Sequence, residues 1–310
     1  MKKNIPNAER LGARIRRDWI RNRSLYIMVI PVLLFYILFH YKPMYGTIMA
    51  FMDYSPRLGF AGSEWVGFDN FIRFFRSPYC WQVIRNNLIL SVYGIVICFP
   101  APIILALLIN EVKSQGYKKV VQTVTYLPHF ISLVVVTGII KDFTMSTGLI
   151  TDIVVFFGGE RQSLIQNPNL YRTIYIVSDI WQGIGWGSII YLSALAGVSE
   201  DLYEAAAIDG AGRWKKLVNV TIPAIMPTIV TMLIMRLGQV LGSNYETILL
   251  YNEATYETAD VISSYVYRVG LLDRDWGYSA AIGLFNSLIN VILLLITNKI
   301  SKKLTETSLW

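Results

Sequence analysis

The side chains able to do chemistry are scattered, and none has the spacing of a catalytic centre. His40 and His129 stand alone, and no Cys/His cluster has metal-ligand spacing, so no metal site is expected. Lone histidines of this kind read as helix-end residues with local hydrogen bonds. Cys98 falls in an apolar run and Cys80 in a polar stretch, which predicts different depths and no pairing. Asp273 and Asp275 form the one acidic cluster beside an apolar run. No glycine-rich loop ends in Gly-Lys-Ser/Thr, so a phosphate-cradling nucleotide site of that type is not expected in this chain. A more telling set is polar residues embedded in apolar runs. Asp179, Trp181, Gln182 and Trp186 form one group, and Arg236, Gln239, Ser243, Asn244 and Glu246 another, with Asn286 and Asn290 further on. Gln239, Ser243 and Glu246 recur at helical spacing and define one face. Such groups at membrane depth are expensive and usually face a bundle interior or a cavity.

The elements that must hold them follow from composition. Of the 310 residues 54% are apolar and 16% charged, with mean hydropathy +0.45, which is too apolar for an ordinary soluble domain. Runs approaching the ~20 apolar residues that cross a bilayer recur along the chain. They predict an all-α, polytopic fold of six transmembrane helices, at about 25–41, 88–109, 120–140, 171–196, 224–249 and 278–297. Pro31, Pro100, Pro102 and Pro128 lie inside or bend the first three. Between the first two, at about 53–85, Phe68-Asp69-Asn70-Phe71-Ile72-Arg73-Phe74-Phe75 predicts a short amphipathic helix suited to the membrane interface. The expected organisation is an N-terminal arm over 1–24, a first membrane segment over 25–52, the 53–85 loop, a core over 86–298 and a tail over 299–310. Loops at about 141–169 and 250–277 complete it.

Charge orients these spans. The net charge is +7, and the first 24 residues hold Lys2, Lys3, Arg10, Arg14, Arg16, Arg17, Arg21 and Arg23 against Glu9 and Asp18. A basic arm can bind nucleic acid, but one placed directly before an apolar span is better explained by the positive-inside rule. The arm, the loop after span two, the loop after span four and the tail carry 17 of the 28 Lys and Arg residues. The expectation is therefore a multi-pass membrane protein with both termini cytoplasmic. A cleavable signal peptide is not expected, because the first apolar run is too long and no small-residue cleavage site follows it.

The cytoplasmic loop over 197–223 is the most informative stretch. Glu204-Ala205-Ala206-Ala207-Ile208-Asp209-Gly210-Ala211-Gly212 favours a short helix, with Gly210 or Gly212 supplying a left-handed residue to end it. Val220, Ile222 and Pro223 follow, the proline suiting the first turn of the next apolar helix. This resembles the EAA loop of bacterial ABC importer permeases: Glu-Ala-Ala, three residues, Gly, nine residues, Ile, one residue, Leu-Pro. Glu204, Ala205, Ala206, Gly210 and Pro223 match in register, while Val220 and Ile222 replace the usual Ile and Leu. The 53–85 stretch, with Pro78, Trp81 and Asn86-Asn87, also looks like the first external loop of sugar-type permeases.

The resemblance implies the type I importer permease (MetI-like) fold in the carbohydrate branch, near the LplB-type polysaccharide permeases. It implies a non-catalytic subunit forming half of a pathway for an oligosaccharide or sugar derivative. Implied partners are a second homologous permease, two ATP-binding subunits and an extracytoplasmic solute-binding (lipo)protein, with membrane lipid around them and no nucleic acid. No cofactor is then expected on this chain; ATP and Mg are used by the ATPase partners. Glu204, Ala205, Ala206, Asp209, Gly210, Ala211 and Pro223 are the implied ATPase-coupling residues. Trp181, Trp186, Arg236, Gln239, Ser243, Asn244, Glu246 and Asn286 are the candidates for a sugar path, where aromatic rings stack on pyranose faces and amides bond hydroxyls. The competing reading is structural, with Arg236 paired to Asp179 and the aromatics serving as interface anchors.

A polyprenyl-linked sugar transferase would need an acidic or metal centre, and Asp273 and Asp275 face away from cytoplasmic nucleotide sugars. A secondary transporter would be expected to show an inverted repeat, which is not apparent. The topology is open to test: a cysteine placed at position 2 should resist membrane-impermeant thiol reagents in whole cells and one at position 61 should label. The reverse pattern would invert the chain.

Overall fold

The computed structural model describes residues 7–238 and 245–305, and it is helical almost throughout. The sole ladder among the described residues is a two-residue antiparallel pair, Met52–Asp53 with Glu64–Trp65, in which Met52 faces Trp65. The chain is all-α, as the apolar periodicity requires.

α1 runs over Asn7–Tyr36, so the basic arm and the first span form one helix, interrupted by non-helical dihedrals at Asn22. Asp18 accepts hydrogen bonds from Asn22 and the Tyr26 hydroxyl across that elbow. A π-helical turn, Ile37–Tyr41, leads to a 3-10 stretch ending at Phe51. The apolar residues from Leu25 to Phe39 are exposed along their whole length, so the rest of the chain does not cover this helix. α2, Asp69–Arg76, is the expected amphipathic helix. It does more than lie at an interface: Phe74 is buried in the bundle, and Asn70 donates to the Ala50 and Met52 carbonyls at 3.1 and 3.0 Å.

α3, Pro78–Tyr93, passes through a π-helical turn, Gly94–Cys98, into α4, Pro100–Glu111. Cys80 is in the first turn of α3 and buried, not in a polar loop; both cysteines are free. The third span departs most from the sequence reading. α5, Gln115–Tyr126, ends in a 3-10 turn at Leu127–Phe130, and Ser132 caps a new helix, α6, Leu133–Thr144. Pro128 and Ser132 break what the apolar run suggested was one helix over 120–140. α7, Leu149–Phe156, then fills much of the expected loop, and the apolar membrane-length stretch is Leu133–Phe156.

α8, Pro168–Ala196, is a 29-residue helix that runs through the bundle. Asp179, Gln182 and three glycines hold its hydropathy down. The segments apolar and long enough to cross a membrane are Asp18–Phe51, Pro78–Glu111, Leu133–Phe156, Arg213–Leu237 and Trp276–Lys303. α8 is the sixth pass; its polar residues face neighbouring helices and the cavity, while Val177 and Trp181 stay exposed. At Gly185 it meets α5 so closely that a Cβ would lie 2.1 Å from the Thr125 carbonyl oxygen. Gln182 donates to the Ile131 carbonyl at 3.3 Å on the same side.

Downstream, α9 (Glu200–Ile208) is followed by a helix starting at Arg213 that crosses a π-helical turn, Leu217–Thr221, into α10, Ile222–Leu237. Pro223 therefore does not open a helix. It sits inside a continuous one, directly after a π turn that relieves the hydrogen bond a proline cannot make. α11 (Tyr245–Leu250), α12 (Ile262–Tyr267) and α13 (Trp276–Thr305) complete the chain.

The stretch between α11 and α13 is tied down, not a free polar loop. Gln82 donates to the Tyr256 carbonyl, and Asn86 to those of Glu257 and Asp260 at 2.9 and 3.0 Å. Arg172 in turn donates to Asn86 Oδ1 at 3.0 Å. Asp260 is buried against Arg268, whose guanidinium grips both its oxygens at 2.5 and 3.3 Å. Asp275 is held by Arg73 at 2.6 Å.

The closeness of α8 to α5 predicts the effect of enlarging residue 185. Gly185→Val should destabilise the assembled protein by about 1–3 kcal/mol, the usual cost of overpacking, read as a lower apparent melting temperature in detergent. An unchanged melting temperature would mean that the helices do not approach this closely.

Candidate functional site

Two regions collect the residues that matter. The first is a cavity of about 470 Å³ between the α3–α4 turn, α8 and α10, lined by Cys98, Asp179, Trp186 and Arg236 among apolar neighbours. Asp179, Gly183, Trp186 and Ile190 follow one another at helical spacing, so α8 presents one continuous face to it. Trp186 is 48% exposed and stacks on His129 with centroids 4.5 Å apart and rings 4° from parallel. Phe130 meets it edge-on at 5.9 Å.

Arg236 approaches Asp179 at 3.7 Å, both partly exposed at 47% and 34%. This is an ion pair without a close hydrogen bond. The guanidinium also lies over the backbone of the Gly94–Cys98 π turn, where a Cβ at Gly94 would stand 2.9 Å from Nη2. The absence of a side chain at residue 94 is what admits the arginine.

The other sequence candidates are distributed differently. Trp181 does not line this cavity; five residues from Trp186, it is turned well over a third of the way around α8. Glu246 is buried in α11 and accepts from Ser178 Oγ at 2.6 Å, behind the cavity wall. Asn286 lines a separate cavity of about 370 Å³ with Tyr267 and Ser279, and its Oδ1 finds no partner among the described residues. Gln239, Ser243 and Asn244 lie outside the described residues. His129 and Ser178 were missed. Their signal was weak: His129 comes after the helix break, where sequence periodicity gives no register.

The second region is the loop after α8. Ser199 caps α9 by accepting from the Asp201 amide, and Glu200 and Asp201 complement the positive end of the helix. The far end closes as a Schellman motif: Gly210 adopts φ +72°, its N–H bonds Ala207 O at 3.0 Å, and Ala211 N–H bonds Ala206 O at 2.8 Å. Glu204, Ala205 and Asp209 are exposed, as are the apolar Leu202, Ile208 (87%) and Trp214 (74%). The Tyr203 hydroxyl meets Thr221 Oγ1 at 3.1 Å, joining α9 to the π turn below α10. A short capped helix, exposed apolar side chains and a polar link to a membrane helix thus lie together on this loop.

Residues 83–306 match the model of the binding-protein-dependent transport system inner membrane component. The chain belongs to that family. It is 42% identical to the polygalacturonan/rhamnogalacturonan transport system permease protein YteP of Bacillus subtilis (strain 168), over 94% of this chain and 91% of the relative. It is likewise 42% identical to Protein LplB of the same organism, over 94% and 92%. Among solved structures, a chain of a bacterial alginate ABC transporter in complex with alginate pentasaccharide-bound periplasmic protein superposes with TM-score 0.87 at 42% identity, covering 96% of this chain and all of the other. This chain is thus a multi-pass membrane permease of the binding-protein-dependent importer class, a non-catalytic type of subunit with the MetI-like fold.

The cradle at Gly94 yields a test by double substitution. Gly94→Ala should displace Arg236 from Asp179, so Asp179→Asn should cost less in that background than alone. The coupling should be about 0.5–1 kcal/mol, as suits a half-exposed pair, read from melting temperatures of the four proteins. Strict additivity would separate Gly94 from the ion pair.

Proposed function

We propose that this chain forms half of the translocation pathway of an ABC importer for an oligosaccharide, and that α9 is the coupling helix that engages a cytoplasmic ATPase subunit. The observation that carries this reading is the Schellman-closed helix with Leu202, Ile208 and Trp214 exposed and Tyr203 linked to Thr221. An ATPase groove would cover that apolar surface, and the Tyr203 link would pass its movement to α10, which lines the cavity. Glu204, Ala205, Ala206, Asp209, Gly210 and Ala211 form the docking element, and Pro223 with its π turn joins it to the membrane.

Saccharide as the substrate class draws on the relatives, whose names specify polygalacturonan, rhamnogalacturonan and alginate transport. The cavity has suitable chemistry: Trp186, backed by His129, offers a ring face for a pyranose. The remaining parts are a second homologous permease, two ATPase subunits that use ATP and Mg, and an extracytoplasmic solute-binding protein. Both termini are cytoplasmic, in line with the basic residues of the arm and tail. ATP would close the ATPases, α9 would transmit the motion, and the cavity would turn from inward-facing to outward-facing.

Gly210→Val tests the coupling assignment. A β-branched residue is strained at φ +72°, so the Schellman turn should open while the membrane helices stay intact. The expected result is an assembled complex in which binding-protein-stimulated ATPase activity and uptake both fall at least tenfold. Full activity in proteoliposomes would remove α9 from the coupling role.

A further inference from the structure

The cavity contains one feature that transport of a neutral sugar does not need. Among its described lining residues Arg236 and Asp179 are the ones that carry charge, and both sit at membrane depth, where charge is costly. Their contact, 3.7 Å, is too long for the tight forked hydrogen bonding that an arginine and a carboxylate form when the pair is purely structural. Arg268 and Asp260 show the alternative in the same chain, with two hydrogen bonds and Asp260 1% exposed. Arg236 is 47% exposed and makes no hydrogen bond among the described residues. Its position is nevertheless specified. Gly94 leaves room for the guanidinium on the π turn, and Asp179 supplies a counter-charge from α8. Arg236 is thus a cation that is placed, weakly engaged and open to a cavity.

We propose that Arg236 is the charge-selecting residue of the pathway, and that the solute is an acidic saccharide whose uronate carboxylate takes the guanidinium in place of Asp179. This inference rests on the saccharide-pathway reading above. In the empty state Asp179 spares the arginine an unpaired charge. When a uronate unit stacks on Trp186, its carboxylate replaces the loose contact with a forked, charge-assisted one, and moving on restores the original pair. A neutral saccharide offers nothing that displaces Asp179, so it gains only the ring contact. The exchange is between two carboxylates on one cation, which lets binding be selective without being tight.

The test bypasses the solute-binding protein, whose own selectivity would hide that of the membrane path. The assembled transporter, with its second permease and ATPase subunits, is purified in detergent, and equilibrium dialysis measures binding of labelled trigalacturonate and of its carboxyl-reduced, neutral counterpart. Wild type should prefer the acidic trisaccharide. Arg236→Gln should weaken trigalacturonate by roughly ten- to a hundredfold, the range for a charged hydrogen-bonded contact, and leave the neutral sugar nearly unchanged. Arg236→Lys should restore part of the preference, and Asp179→Asn, which removes the competing carboxylate, should increase it. Equal loss of both sugars in Arg236→Gln, or equal affinity in wild type, overturns the proposal. If Arg236→Gln does not assemble, the ratio in Asp179→Asn decides, and an unchanged ratio overturns it. Trp186→Ala should weaken both sugars alike. Failure of wild type to bind either sugar would instead overturn the saccharide pathway itself.

Discussion

A helix carrying Asp179, Gln182, Trp186 and three glycines cannot be offered to lipid, and the architecture around α8 follows from that constraint. Unsatisfied polar groups in hydrocarbon cost several kcal/mol each. The neighbours therefore close around α8: α5 at Gly185, the α3–α4 turn at the cavity, and α11 through Glu246 and Ser178. Where they do not close, the cavity remains, and it is there that Arg236 and Asp179 meet. The polarity that sets α8 apart from the other spans is the polarity that lines the cavity.

At one end of the bundle a polar clasp works to a different purpose. Asn86 bonds two carbonyls of the segment after α11 and is itself held by Arg172, while Arg268 and Asp260 are locked together within that segment. Breaking one partner of a buried pair of this kind is strongly destabilising. The segment is thereby rigid where its composition suggests flexibility.

Much of this was legible in the sequence. The spans were read from apolar runs, and the helix over Glu200–Ile208 with Gly210 as its stop was read from local chemistry that tertiary contacts do not override. The pairing of Arg236 with Asp179 could be raised as a possibility because opposite charges in apolar runs seek each other. The third span misled, because an apolar run says nothing of the break that Pro128 and Ser132 impose. Pro223 misled for the converse reason: proline at a helix start and proline after a π turn look alike in one dimension. Trp181 and Trp186 looked equivalent until helix register separated them. The order in the stretch after α11 was hidden, since carbonyl acceptors carry no residue identity.

The uncovered first helix bears on how such a chain is made. Among the described residues none before Ala50 contributes to the buried core, while Leu25 to Phe39 leave their apolar side chains to whatever surrounds them. For α1, then, insertion into the bilayer and folding of the subunit are separate events, as in a two-stage scheme of helix insertion followed by association. Its tie to the rest of the subunit runs through residues 45–51, which pack on α13. α1 is thereby left to be placed by its surroundings, through the link at residues 45–51 and whatever covers its apolar side chains.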